Sequence, residues 1–280
     1  MSERLRQRWS DCQFVLRGHQ RILVAFSAGC DSTFLAAAAR RCLGRGRVLA
    51  VTAVSASLAA ADKTSALRLA VSLDLDHLFV ETREFDNPLY TSNPTNRCFY
   101  CKDELFSRLS AIAASRRMVV ADGFTVSDRS DFRPGLQAAQ RWNVAHPLDA
   151  AGLDKLDIRA LSRWMKLPTW NKPASPCLSS RIPYGTPVVA PVLRQIERAE
   201  TFLRDSGFAV VRVRHFGRQA RIEVPLPDLP RLLESAQWQR TIRYFKTIGY
   251  EETQADPRGF RSGRLNGAEL LSDAHAYGEN

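Results

Sequence analysis

The sequence lacks several features that would place it in common protein classes. None of its apolar stretches approaches the length that crosses a bilayer, so we expect no membrane partner. The first twenty residues have neither the apolar centre nor the small-residue cleavage site of a secretory signal, which favours the cytoplasm. No uninterrupted block of Lys and Arg occurs, which weakens the case for a nucleic-acid tail. A GK[ST] sequence is also missing, which excludes a Walker-type P-loop NTPase.

The net charge and the cysteines limit which ligands the chain is expected to bind. The 280 residues carry a formal charge of +11, from 40 basic and 29 acidic residues. This balance suits nucleotides, phosphorylated metabolites or RNA, although a well-solvated Arg-rich surface gives the same total. The six cysteines are Cys12, Cys30, Cys42, Cys98, Cys101 and Cys177. In a cytosolic chain they should be reduced, so metal ligands or reactive thiols are better predictions than disulfides.

The first part of the chain alternates short apolar runs with helical patterns. The apolar runs predict buried strands at 21–27, 48–55, 77–82 and 118–123. Helices are predicted at 4–19, 32–43, 60–74, 102–115 and 154–166, with loops at 84–100 and 124–152. This order predicts a Rossmann-like α/β fold with a parallel sheet and helices on both faces.

The pattern changes beyond the Pro-rich segment 172–188, which we predict to be a functional loop at a domain boundary. Residues 208–216 and 219–224 alternate strictly, as antiparallel strands with one polar face do. Helices at 190–206 and 228–247 and a strand at 249–254 complete this part. We therefore predict two domains, an α/β domain over 1–175 and a smaller α+β domain over 176–280.

A short loop between the first predicted strand and the next helix is the candidate ATP site. Backbone N–H groups and the helix dipole point at any anion bound there, and small residues let a phosphate approach. Asp31 would repel phosphate by itself, so we assign it to Mg²⁺ held between the phosphates. The loop residues assigned to ATP are Phe26, Ser27, Ala28, Gly29, Cys30, Asp31 and Ser32.

The loop sequence SAGCDS resembles the SGGxDS motif of the PP-loop ATP pyrophosphatases. That resemblance implies that residues 1–175 form an ATP pyrophosphatase domain, which cleaves ATP between the α- and β-phosphates and adenylates a carbonyl or carboxylate. The domain over 176–280 would then serve substrate binding or oligomerisation. The alternative for the loop itself is an ordinary strand–helix turn. Ala28 stands where the motif has glycine, and its methyl group fits only if φ is negative. Three residues at the ends of other predicted strands are also assigned to ATP: Ser55, Asp122 and Gly123.

Two cysteines form a C-x₂-C pair, Cys98 and Cys101, in a predicted loop entering a helix. The helix dipole, Arg97 and Lys102 would stabilise their thiolates, and the spacing suits zinc or iron–sulfur ligation. A thioredoxin-like redox pair is the main alternative. Cys177, the other cysteine in a predicted loop, would be a third ligand, and three ligands would leave one iron open to carry sulfide.

Arginines in the second part are candidates for an anionic substrate. Arg212 and Arg214 share one face of a predicted strand and could clamp a carboxylate or phosphate. A solvated sheet face with cross-strand ion pairs, including Arg221 and Glu223, is the alternative. The further candidates are Ser180, Arg181 and Glu200, with Arg133 for nucleotide or substrate contact.

Several segments together resemble the LarE family of sulfur transferases, which make the nickel-pincer nucleotide. The matching segments are SAGCDS, NPTNRCFYCKDELF, ADGFTVSDRSDFRPG, SPCLSSRIPYG, RVRHFGRQARIEV and GFRSG. They spread over residues 21–263, which is most of the chain. The family has serine where this tail has Arg264, so the tail's role stays open.

The resemblance implies the reaction and its cofactors. A carboxylate of pyridinium-3,5-biscarboxylic acid mononucleotide would be adenylated with ATP and Mg²⁺ and converted to a thiocarboxylate. In the family, the cysteine matching Cys177 delivers sulfur, and some members sacrifice it and keep dehydroalanine. Members with three cysteines carry a [4Fe–4S] cluster, which the pair Cys98 and Cys101 implies here, reloaded by a sulfide donor. The family uses positions matching Arg181, Glu200, Arg212 and Arg214 around its substrate, and its members are homo-oligomers.

Two other functions fit parts of the sequence. A tRNA-thiolating enzyme of the same superfamily would also use cluster cysteines, and the positive charge would help RNA binding. The sequence has no recognisable appended RNA-binding module, so we expect no nucleic-acid partner. A non-enzymatic regulator that binds nucleotide and metal is the second alternative, and substrate-dependent pyrophosphate release would separate it from an enzyme.

Overall fold

A computed structural model describes residues 1–130 and 134–260, so the predictions for Arg133 and Arg264 lie outside the described residues. The chain forms two compact units. The first comprises Met1–Tyr90 and Asn96–Ser175; the second comprises Thr91–Thr95 and the described residues from Pro176 onward. In the described part, no helix is both long and apolar enough to cross a membrane.

The first unit is built on a parallel sheet. Its strands are β1 (Ile22–Ala25), β2 (Val48–Val54), β3 (Asp76–Glu81) and β4 (Val119–Ala121), in the order β3-β2-β1-β4. The helices that precede Pro176 are α1 (Glu3–Arg17), α2 (Cys30–Leu43), α3 (Ala60–Ser72), α4 (Pro88–Thr91), α5 (Arg97–Arg116), α6 (Gly135–Arg141), α7 (Pro147–Ala150) and α8 (Lys155–Trp164). This confirms the Rossmann-like α/β fold.

Burial explains why these segments fold as they do. The central strand β1 is buried on both faces, as expected for a parallel strand covered by helices. Helix α2 buries the run of alanines at 36–39, whose small side chains allow close packing. Phe34 and Leu35 are fully buried on the same helix, and each contributes about 1.5–3 kcal/mol. The packing of α2 fixes where its N-terminus stands relative to the sheet.

Two predicted loops contain helices. The segment 84–100 was predicted as a loop, but it holds a 3₁₀ turn, α4 and the start of α5. Helix α5 begins at Arg97, so the C-x₂-C pair lies on the helix itself rather than ahead of it. The segment 124–152 contains a 3₁₀ turn, α6 and α7. The Pro and Asn residues of 84–100 predict a loop, whereas Pro88 occupies the first position of α4, where its missing N–H costs no helical hydrogen bond.

The second unit is a small α+β unit, as predicted. Its elements are α9 (Ala190–Asp205), β5 (Arg212–Phe216), β6 (Gln219–Glu223), α10 (Leu229–Leu233), α11 (Ser235–Thr247) and β7 (Glu252–Ala255). Strand β6 pairs antiparallel with β5 and parallel with β7. The single helix predicted at 228–247 is divided, because Glu234 between α10 and α11 adopts extended dihedrals.

The predicted polar face of the second sheet is not solvated. Strand β5 is buried from Arg212 to His215, and β6 is buried from Ala220 to Glu223. Charged and apolar residues therefore alternate between two covered faces. This burial contradicts the alternative of a solvated sheet face. Alternation shows which residues share a face but not what covers that face.

Candidate active site

The first unit brings two predicted ATP segments together at the carboxyl edge of its sheet. The chain leaves β1 toward β2 on one side, whereas β4 lies on the other side of β1. Ligands of open α/β sheets bind at such a switch point. The segment Phe26–Ser32 follows β1, and Asp122 and Gly123 follow β4. A Cβ added to Gly123 would lie 3.0 Å from the backbone nitrogen of Ser32, so a side chain there would have to displace the loop by a few tenths of an ångström.

The loop after β1 is held by its own serines. The side chains of Ser27 and Ser32 lie 3.0 Å apart, and the N–H of Ser27 donates to Ser32 Oγ at 3.2 Å. The N–H of Gly29 donates to Ser27 Oγ at 3.4 Å. Gly29 caps α2 without a side-chain bond, so the first N–H groups of the helix are directed toward the loop. This arrangement is typical of an anion-binding helix terminus.

Ala28 contradicts its expected conformation. It is fully buried and has φ of 55°, in the left-handed region, whereas we expected a negative φ. A non-glycine residue there costs about 1–2 kcal/mol. Burial of the methyl group in the core around β1 and α2 offsets part of this cost. A glycine at this position would avoid that cost, whereas this chain makes the turn with alanine.

Two other predicted ATP residues have structural partners. The carbonyl of Phe26 accepts a 2.7 Å bond from Thr52 Oγ1, and its buried ring packs edge-on against His77. Ser55 directly follows β2, and its Oγ lies 2.9 Å from Ser57 Oγ. Both residues thus lie at the carboxyl ends of neighbouring parallel strands.

His146 is a residue that the sequence analysis missed. Its Nδ1 lies 2.7 Å from Asp122 Oδ1, which also accepts a bond from the N–H of Phe124. Burial alone lowers the pKa of His146, but the hydrogen bond and charge of Asp122, with the charge of Asp149, raise it above its ordinary value. The pair fixes the Asp122 carboxylate beside Gly123 and the loop. A single histidine before a proline gave no signal of this contact.

The cysteines fall into distinct environments. Cys98 is exposed and Cys101 is partly exposed, one helical turn apart near the start of α5. Cys177 is exposed at the start of a 3₁₀ turn in the second unit. Burial, followed by the charge of Asp31, raises the pKa of the partly buried Cys30 thiol. Two of the three predicted ligands, Cys98 and Cys177, are exposed, whereas Cys101 has the same intermediate exposure as Cys30 and Cys42.

Two of the three predicted cluster ligands share one helix. Cys98 and Cys101 could each offer a thiolate to the same metal, because residues three apart face the same side of a helix. Cys177 belongs to the other unit. In residues 1–130 and 134–260, no three His, Cys, Asp or Glu side chains gather closely enough to hold a metal ion. Convergence of the three thiols stays a prediction.

The second unit holds a buried ion pair directly after Cys177. Arg181 and Glu200 are 2% and 0% exposed, and they form two bonds, Nε–Oε1 at 2.8 Å and Nη2–Oε2 at 3.0 Å. Glu200 also accepts from Arg204 and from the N–H of Val213. Burial alone raises the pKa of Glu200, but the nearby guanidinium charges, that of Arg181 first, hold it below its ordinary value.

The same arginine ties the Cys177 segment to this ion pair. Arg181 Nη1 donates to the carbonyls of Pro176 and Cys177, at 2.6 and 3.0 Å. It also donates to Ser180 Oγ at 2.9 Å. Arg214 Nη1 donates to the Ser180 carbonyl at 2.7 Å, so β5 supports the turn from the other side. Cys177 thus has an exposed side chain on a backbone that buried cations hold.

Cations dominate one face of the second sheet. Arg214 is paired in register with Arg221, and Arg212 with Glu223, so all four share a face. Arg214 forms two bonds to the Glu223 carboxylate. Burial, and then the charge of Arg181, lower the pKa of Arg212 to about 10. Arg214 and Arg221 are neighbouring cations on a face where Arg214 already pairs with Glu223. Guanidinium groups can offer paired N–H donors to a phosphate or carboxylate.

The chain is similar in sequence to known proteins over most of its length. The chain is 36% identical over 252 residues to the pyridinium-3,5-bisthiocarboxylic acid mononucleotide synthase of Lactiplantibacillus plantarum, covering 90% of this chain and 91% of that one. It is 40% identical over 247 residues to an uncharacterised protein of Synechocystis, covering 88% and 92% of the two chains. A protein of Methanocaldococcus jannaschii is 23% identical, over 87% of this chain and 92% of its own. No protein-family model matches the chain.

Proposed function

The chain belongs to the LarE family of pyridinium-3,5-bisthiocarboxylic acid mononucleotide synthases, and on this premise we propose that it converts the carboxylates of pyridinium-3,5-biscarboxylic acid mononucleotide to thiocarboxylates at the expense of ATP. Membership makes it an enzyme of the sulfur-transferase type. The observation that carries the proposal is the buried cationic cluster attached to the Cys177 backbone, because it combines an exposed thiol with a site for an anion. The product would serve nickel-pincer nucleotide biosynthesis in the cytoplasm.

The first step would activate the substrate carboxylate. A free carboxylate is a poor electrophile with a poor leaving group, whereas attack of its oxygen on the α-phosphorus of ATP forms an acyl-adenylate and releases pyrophosphate. The N-terminus of α2 and the hydroxyls of Ser27 and Ser32 would hold the departing pyrophosphate. Asp31, in the first turn of α2, would hold Mg²⁺, which would offset the negative charge of the phosphates.

The second unit would orient the substrate. Its ligand carries a phosphate and two carboxylates, and guanidinium groups bind such groups through paired N–H donors. Arg212 has a lowered pKa because it is buried among cations, so an anion would relieve repulsion as well as gain bonds. Ser180 and Arg181 would meet the same ligand as Cys177, since they follow it in one turn. Glu200 would position Arg181 rather than contact the substrate.

The second step would transfer sulfur to the activated acyl carbon. A sulfur nucleophile attacks the acyl-adenylate carbonyl, the acyl–oxygen bond breaks, and AMP leaves. If Cys177 is that nucleophile, the resulting thioester releases thiocarboxylate by β-elimination and leaves dehydroalanine at this position. The thiols of Cys98, Cys101 and Cys177 fit a [4Fe–4S] cluster by donor type. Such a group would supply a renewable sulfide, which would spare the cysteine.

Pyrophosphate release tests this function. Purified protein with ATP and Mg²⁺ should release pyrophosphate only when the pyridinium biscarboxylate is added. Release without that substrate, or no release with it, would contradict the proposal. A salt-dependent gel shift with tRNA would instead favour the tRNA-thiolating alternative, and nucleotide binding without any pyrophosphate would favour a regulator. We also propose a homo-oligomer, on the basis of the family resemblance.

A further inference from the structure

The proposed ATP loop has no cation of its own. Between Ile22 and Ala39 the sequence contains neither Lys nor Arg, and Asp31 adds a negative charge. Backbone N–H groups at a helix N-terminus carry only about half an elementary charge in total. In sites that bind a triphosphate, a lysine commonly supplements these donors as a mobile point charge. A cation from elsewhere in the chain would therefore complete this site.

Lys172 lies at the loop although it is 144 residues away in sequence. Its Nζ donates to the carbonyl of Ala28 at 3.1 Å and lies 3.5 Å from Asp62 Oδ1. Ala28 is the residue of the loop with left-handed backbone dihedrals, at the turn that precedes α2. The ammonium group is thus placed at the turn where the small residues would admit a phosphate, and its side chain is 26% exposed.

The segment that carries Lys172 is anchored rather than loosely apposed. Arg159 on α8 donates to the carbonyls of Trp170 and Lys172, each at 3.1 Å. The N–H of Lys172 donates to the carbonyl of Thr169 at 3.0 Å. Cys30, at the first position of α2, lies with its Sγ 3.9 Å from the Trp170 carbonyl. These contacts fix the backbone of Lys172, while the four methylene groups of its side chain leave the ammonium able to move.

We propose that Lys172 is the phosphate-binding lysine of this ATP site. This assignment rests on the ATP-dependent function proposed above. It gives Lys172 a contact with the β- and γ-phosphates of ATP, which become pyrophosphate. Without nucleotide, the ammonium is held by the Ala28 carbonyl and Asp62. With ATP bound, it exchanges the partly exposed Asp62 carboxylate for phosphate oxygens, which carry more charge. Asp62 therefore competes with ATP for the lysine.

Competition by Asp62 separates phosphate binding from a purely structural tether. Titration calorimetry with Mg²⁺-ATP should show at least tenfold weaker binding for Lys172→Met, about 1.4 kcal/mol, and a smaller loss for Lys172→Arg. Asp62→Asn should bind ATP as tightly as the wild type or several-fold more tightly. A structural tether predicts the reverse for Asp62→Asn, which would weaken binding as much as Lys172→Met does. Inorganic pyrophosphate, used as a second probe, should follow the same order.

Lys166→Met is the matched control, because it removes the same charge from an exposed position six residues earlier. It should bind ATP like the wild type. Unfolding midpoints by circular dichroism should remain close to the wild-type value for all the variants. Wild-type affinity in Lys172→Met, or weaker binding in Asp62→Asn, would overturn the assignment. If the wild type itself bound no ATP, the proposed function would fail, and the assignment with it.

Discussion

Replacement of Glu200 by glutamine tests whether the second unit is organised around a buried ion pair. The carboxylate accepts two bonds from Arg181, one from Arg204 and one from the N–H of Val213. An amide keeps the acceptor at Oε1, but its NH₂ group then faces the Nη2 donors of Arg181 and Arg204. Two charge-assisted bonds at about 1.5–3 kcal/mol each are lost, which agrees with about 3–5 kcal/mol for breaking a buried pair.

Urea unfolding followed by circular dichroism measures this cost. Glu252→Gln is the control, since Glu252 is exposed on β7 and accepts one bond from Gln219, and its effect should stay within about 0.5 kcal/mol. The pKa of Glu200 is lowered on folding, so its stabilisation is present above the unfolded-state pKa and is lost as the pH falls through the folded-state value. The difference between wild type and Glu200→Gln should therefore shrink in acid. A Glu200→Gln variant as stable as the control variant at neutral pH would refute the buried-pair argument.

Three further predictions concern the first unit and the thiols. Anaerobically purified protein should contain iron and sulfide, measured by spectroscopy and elemental analysis. Both should be lost in Cys98→Ala, Cys101→Ala and Cys177→Ala and retained in Cys42→Ala, whereas a colourless, zinc-loaded protein would contradict the cluster. Gly123→Ala should weaken ATP binding about tenfold or more, because its Cβ would press on Ser32, whereas exposed Gly18→Ala should not. The pKa of His146 is raised on folding, so His146→Asn should lower the unfolding free energy more at about pH 5.5 than at about pH 9, and an equal loss at both would refute the Asp122 contact.

The parallel sheet and the strand–helix turn at Phe26–Ser32 could be predicted because they depend on local patterns. Apolar runs separated by helical segments define a parallel α/β order without any knowledge of side-chain contacts. The placement of Asp122 and Gly123 at the ends of β4 follows from the same order. Ala28 was predicted wrongly, because the sequence contains the alanine but not the φ angle that the turn requires. Backbone strain at one residue is decided by its neighbours in the fold.

Long-range contacts explain the rest of the differences. Alternation in RVRHF placed Arg212 and Arg214 on one face, but burial of that face depends on what packs over the sheet. His146 and Lys172 have no motif that marks them, and their roles rest on contacts with Asp122 and Ala28 across 24 and 144 residues of sequence. The helix that carries the C-x₂-C pair was predicted to start at 102, but α5 begins at Arg97, so the pair lies on the helix and not in a loop.

Mass spectrometry of the small-molecule product tests the central claim most directly. Anaerobic protein incubated with ATP, Mg²⁺, a sulfide donor and pyridinium-3,5-biscarboxylic acid mononucleotide should yield species in which sulfur has replaced one and then two carboxylate oxygens, with AMP and pyrophosphate formed alongside. The Cys177→Ala variant should form none of these species. A substrate recovered with all its oxygens while ATP is consumed, or full sulfuration by Cys177→Ala, would contradict the account.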